Sequence, residues 1–173
     1  LHEPETEDQD TFVTAKSLTD LLRTPALRSV VFADFSFTNA LCRATANALV
    51  GSPVTDITFE RNCSFPDGGA AIIANALKRN ASVTNAKFLH NFDEPFFNNL
   101  AAVLLCNSTL QNLEVKLREG AGGTWLSSIF LSLNMNTTLK SLSVRIFDKL
   151  GDKLCAAIKN GLAKNSTLEK LSL

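Results

Sequence analysis

The chain has 173 residues, 45% hydrophobic and 20% charged, a composition that supports one sizeable core and excludes a low-complexity chain. Seventeen Lys and Arg balance 17 Asp and Glu, so no strong overall field selects nucleic acid or a membrane surface. No apolar run reaches the roughly 18 residues of a membrane-crossing helix.

Residues 1–10 hold Glu3, Glu5, Glu7, Asp8 and Asp10 and no Lys or Arg. This stretch reads as a disordered acidic tail, either solvated or shielding a basic face of the body. The start at Leu1 fits a processed or trimmed piece. Residues 11–26, TFVTAKSLTDLLRTPA, carry Leu18, Leu21 and Leu22 at helical spacing. They are expected to form a half-unit that closes the N-terminal end of a repeat domain over 11–173.

From Leu27 the chain repeats itself. LRSVVF, VTDITF (from Val54), VTNAKF (from Val83), LQNLEV (from Leu110), LKSLSV (from Leu139) and LEKLSL (from Leu168) share one pattern, apolar-x-x-apolar-x-apolar. The intervals are 27, 29, 27, 29 and 29 residues. The last two apolar positions lie two apart, as in a strand with one buried face.

Between the strands the apolar period changes. Ala70, Ile73, Ala74 and Leu77 stand at i, i+3, i+4 and i+7, as do Phe97, Leu100, Ala101, Leu104 and Leu126, Ile129, Phe130, Leu133. Each set forms one stripe of a helix. Cys42, Thr45, Ala46 and Leu49 make a weaker stripe. Cys155, Ile158 and Leu162 make another, with Lys159 expected to reach water from an apolar position.

Asn80, Asn107, Asn136 and Asn165 stand just before the strands from Val83, Leu110, Leu139 and Leu168, each followed two residues on by Ser or Thr. The triplets are N-glycosylation sequons. Their constant phase favours a structural role: Asn in a left-handed conformation ending a helix, with Ser or Thr stabilising the turn.

Each unit is therefore strand, loop, helix and turn, and only stacking gives it a closed core. Strands stack about 4.8 Å apart and helices about 8–10 Å apart, so the stack bends with its strands inside. The expected fold is an α/β solenoid, an arc with a concave parallel sheet and convex helices. The final strand arrives without a helix. It is expected either to continue in a longer protein or to dock on a second copy as a homodimer.

The stretch VTDITFERNCSFPDGGAAIIANALKRNASV from Val54 resembles the ribonuclease-inhibitor-like leucine-rich repeat, whose unit has the form LxxLxLxxNxIGDEGAxALAxALxxNxSL. LGDKLCAAIKNGLAKNSTL, from Leu150, matches the second half. The ninth-position Asn is kept as Asn62 and Asn91, while Phe35, Arg118 and Phe147 stand there in the other full units, which predicts irregular loops. The family includes ribonuclease inhibitors, sensor regions of NOD-like receptors, Ran GTPase activators and tropomodulin-type actin caps. The resemblance implies binding of another protein on a curved surface.

The residues show no catalytic set. His2 and His90 are the two histidines, too few for a His-based triad or zinc site; His90 is expected on the concave rim. Gly120 to Thr124 lacks the Lys of a phosphate loop. Cys42, Cys63, Cys106 and Cys155 include no CxxC pair, and four reduced, mostly buried thiols point to a reducing, cytoplasmic compartment. No cofactor or metal is expected.

With strand positions 1, 4 and 6 inward, positions 2, 3, 5, 7 and 8 are left for the concave face or its rims. The candidate partner-binding residues are Glu60, Lys87, Leu89, Glu114, Lys116 and Arg145. No basic stripe with interleaved aromatics marks a nucleic-acid site. The expectation is a non-enzymatic protein-interaction module, with a Ran-activator-like solenoid or a tropomodulin-type actin cap as alternatives.

Overall fold

A computed structural model describes residues 13–90, 92–117, 124–146 and 151–173. The acidic segment 1–10, the glycine run 120–123, and Asn91, Arg118 and Phe147 lie outside the described residues.

The elements follow as α1 (Ala15–Leu22), β1 (Ser29–Phe32), α2 (Asn39–Val50), β2 (Asp56–Phe59), α3 (Gly69–Ala76), β3 (Asn85–Phe88), α4 (Glu94–Cys106), β4 (Asn112–Lys116), α5 (Thr124–Leu133), β5 (Ser141–Arg145), α6 (Asp152–Leu162) and β6 (Lys170–Ser172). The strands form one parallel sheet in sequence order, β1 to β6. Each helix packs on the helix of the next unit. This is an α/β solenoid with a continuous core between the two layers.

The register is constant. Phe32, Phe59, Phe88, Val115 and Val144 are successive partners across the sheet, as are Val30, Ile57, Ala86, Leu113, Leu142 and Leu171. These two rows face the helices. The four inner helical stripes are buried as expected, with Leu126, Ile129, Phe130 and Leu133 fully so. Helix starts are capped by side chains: Thr14 and Ser17 form a capping box on α1, Thr38 accepts from the Leu41 N–H, and Asp93 accepts from the Phe96 N–H. Gly68, at φ 71°, supplies the left-handed turn into α3 that a side chain would strain.

Two expectations are corrected. First, the asparagines before the strands are not left-handed; among the described residues the one non-glycine with positive φ is Asp34. The Asn side chains act instead. Asn80 Oδ1 accepts from the Ser82 and Val83 N–H groups at 3.1 and 2.7 Å, while its Nδ2 donates to the Leu49 carbonyl at 2.6 Å. Asn107, Asn136 and Asn165 repeat this on Leu77, Leu104 and Leu133. Each asparagine thus shapes its own turn and ties it to the helix end one unit earlier.

Second, the α6 stripe is rotated. Leu154, Ala157 and Gly161 are buried, whereas Cys155 is exposed and Ile158 and Leu162 are half-buried. α6 is the last helix among the described residues, and its contact with α5 decides what it buries. Gly161 permits that contact: an added Cβ would overlap the Phe130 carbonyl. The thiols divide evenly, Cys42 and Cys63 buried and Cys106 and Cys155 exposed, all four unpaired.

Candidate functional site on the sheet face

Along each strand, alternate side chains leave the core and line the open face. One row runs Ser29, Asp56, Asn85, Asn112, Ser141, Lys170, and the next runs Val31, Thr58, Lys87, Glu114, Ser143, Ser172. From Asp56 on β2 across to Lys170 and Ser172 on β6, these rows line a shallow groove of about 470 Å³.

The first row is wired together. Asn112 Nδ2 donates to Asn85 Oδ1 at 2.6 Å, and Asn85 Nδ2 donates to Asp56 Oδ1 at 2.6 Å. The amides are held in one orientation because the chain of donors ends on a carboxylate, which can only accept.

The second row carries the charges. Glu114 receives Arg145 from the next strand, Nη2 at 2.6 Å and Nε at 2.8 Å. Lys87, on the preceding strand, stands 4.0 Å from its other oxygen. Arg145 therefore takes the close pairing, although Lys87 is the direct register partner of Glu114. Lys87 and Arg145 each keep 55% of their side-chain surface exposed, against 18% for Glu114.

Of the six candidate residues, Lys87, Glu114 and Arg145 are gathered into this ion triad, and Lys116 lies opposite Arg145 in register. Glu60 and Leu89 stand apart, just past the ends of β2 and β3. Glu60 lines a separate depression with Val31, Ala33, Asp34, Arg61 and Asn62. Leu89 is half-buried, its N–H donating to the Phe59 carbonyl. The groove floor of Asp56, Asn85, Asn112 and Ser141 was not among the candidates. Its signal was a run of polar residues at the third strand position.

At the rim, His90 Nδ1 lies 3.0 Å from the Arg61 carbonyl oxygen, and the ring packs on Phe65 and Phe92 with centroids 5.6 and 5.3 Å away. These rings join an array running through Phe32, Phe35, Phe37, Phe59, Phe88, Phe96 and Phe97 to Trp125. Burial pushes the Cys42 thiol up to about 11 and raises that of Cys63, which makes both poor nucleophiles. Among the described residues no three His, Cys, Asp or Glu side chains gather to hold a metal ion, and no helix is long and apolar enough to cross a membrane.

No protein-family model matches the sequence, and no curated protein matches it. Solved structures do match the fold. The tropomodulin C-terminal domain of Caenorhabditis elegans superimposes with a TM-score of 0.61 at 12% identity, covering 88% of this chain and 95% of that one. The leiomodin-1 actin-binding site 2 superimposes with a TM-score of 0.63 at 22% identity, covering 87% and 88%. At these identities the likeness concerns the fold, a leucine-rich-repeat-like solenoid.

Proposed function

We propose that this domain is a non-catalytic protein-binding module of the tropomodulin and leiomodin architecture, with actin as its first candidate partner. The observation that carries the reading is the end-to-end match to a leiomodin domain that is itself an actin-binding site. The polar, charge-bearing sheet face supports a protein partner, since it presents fixed amides and half-exposed cations over several strands. Glu60, Lys87, Leu89, Glu114, Lys116 and Arg145 are its proposed contact residues. The glycine-led entry to α3 supports a ribonuclease-inhibitor-like repeat type, and four unpaired thiols support a cytoplasmic setting.

The test is cosedimentation with filamentous actin, together with the effect on elongation at each filament end. Saturable binding, or slowed elongation at one end, is expected. No effect at about 100 μM, where even ~5.5 kcal/mol of binding energy registers, would remove actin as the partner.

A further inference from the structure

The open face of the sheet is electrically lopsided in a way that the zero net charge conceals. The outward positions of β1 carry no charge. β2 carries Asp56 and no cation, and the pair Glu60 and Arg61 follows just past its end. β3 to β6 carry Lys87, Lys116, Arg145 and Lys170 with one carboxylate, Glu114. The register orders these groups: Lys87 faces Glu114, Lys116 faces Arg145, and Lys170 faces Ser141. At about 4.8 Å per strand the cations span roughly 14 Å of sheet.

Glu114 does not cancel this field. It holds the Arg145 guanidinium in place through two nitrogens and leaves both Arg145 and Lys87 55% exposed. Lys87 and Lys170 line the groove itself, with Glu114 between them and Asp56 at its β2 end, and Arg145 stands beside it on Glu114. The rest of the polar lining is Asn85, Asn112, Ser141, Ser143 and Ser172, amides and hydroxyls that can both donate to and accept from a peptide main chain.

We propose that the β3 to β6 end of this face, the groove together with Arg145 beside it, binds an extended acidic segment of a protein partner. Its carboxylates meet Lys87, Arg145 and Lys170, and its main chain crosses the amide and hydroxyl floor. Asp56, at the β2 end of the groove, repels carboxylates and so fixes where the segment stops. A peptide suits the groove better than the other polyanions. A flat membrane does not follow a concave floor, and a nucleic acid carries a charge on every nucleotide, whereas a peptide can set neutral residues against Glu114 and stop short of Asp56. The inference rests on reading the domain as protein-binding, and it does not require the partner to be actin.

The test is fluorescence anisotropy of a labelled peptide of about eight alternating Glu and Ser residues, run beside the same peptide with Lys for Glu. Binding of the acidic peptide alone is expected, with affinity falling as salt rises toward about 0.5 M. The triple variant Lys87→Glu, Arg145→Glu, Lys170→Glu should weaken it about tenfold or more. Circular dichroism of this variant checks that it folds. The equal charge change at exposed Lys16, Lys153 and Lys164 should alter affinity less than about twofold. Equal binding of both peptides, equal loss in the two triple variants, or tighter binding of phosphatidylserine vesicles or a single-stranded oligonucleotide would overturn the proposal. Actin cosedimentation separates the two readings. Actin binding without acidic-peptide binding sinks this inference and keeps actin as partner; the reverse result does the opposite.

Discussion

Asn107 Nδ2 donates to the main-chain carbonyl of Asn80, its counterpart one repeat earlier, at 3.0 Å. The same nitrogen reaches the Leu77 carbonyl at 2.8 Å, and Oδ1 accepts from the Thr109 and Leu110 N–H groups. One buried side chain thus satisfies four main-chain groups on two units. Asn165 bonds in the same way to the Asn136 carbonyl.

Asn107→Ala should therefore destabilise the domain by about 3 kcal/mol, because it orphans buried donors and acceptors as well as deleting a side chain. Asn165→Ala should cost less, since Asn165 is half-buried and water can replace its bonds. Urea unfolding of the two variants checks the order; equal losses would argue against the buried bridge.

Phe88 stacks on Phe59 at 5.5 Å, meets Phe96 edge-on at 4.9 Å and is 1% exposed. Phe88→Ala should cost about 3–5 kcal/mol, and Phe88→Leu distinctly less. Thermal melts followed in the far ultraviolet provide the measurement.

Gly161→Ala should lower stability by about 1–3 kcal/mol, since the new methyl meets the Phe130 carbonyl, a main-chain atom that cannot rotate aside. Gly151→Ala, with nothing within 4 Å of the added carbon, should stay within about 0.5 kcal/mol. Calorimetry of the pair isolates the contact between α5 and α6.

Cys106 and Cys155 are exposed and should react with a thiol reagent in the folded domain near neutral pH. Cys42 and Cys63, buried, should react only on unfolding. Because Cys42 is raised from 9.0 to about 11, its contribution to stability is full below pH 9 and is lost as pH rises from 9 to 11. Stability of Cys42→Ala should fall less steeply across that window, read by denaturant midpoints at each pH.

Much of the architecture was legible because its cause is periodic. Two apolar positions two apart on each strand, then four on each of α2 to α5, leave one way to bury these stripes, and Phe59, Phe88 and Val115 stand in register accordingly. The role of the asparagines was half-legible. Their phase announced a turn, yet the means, a side chain spanning two units, appears only when the units are stacked. The α6 stripe differs for a related reason: spacing along one helix does not record where the neighbouring α5 sits.

The sequence by itself determined the repeat, the identity of the strands and which positions leave the core, since these follow from spacing along one chain. Only the tertiary structure decided that Arg145 takes Glu114 from Lys87, that Asn85 and Asn112 form a wired floor, and that the cations gather at the β3 to β6 end of the sheet. Those relations join residues about 28 positions apart. They depend on side-chain reach between neighbouring strands, which no local pattern encodes.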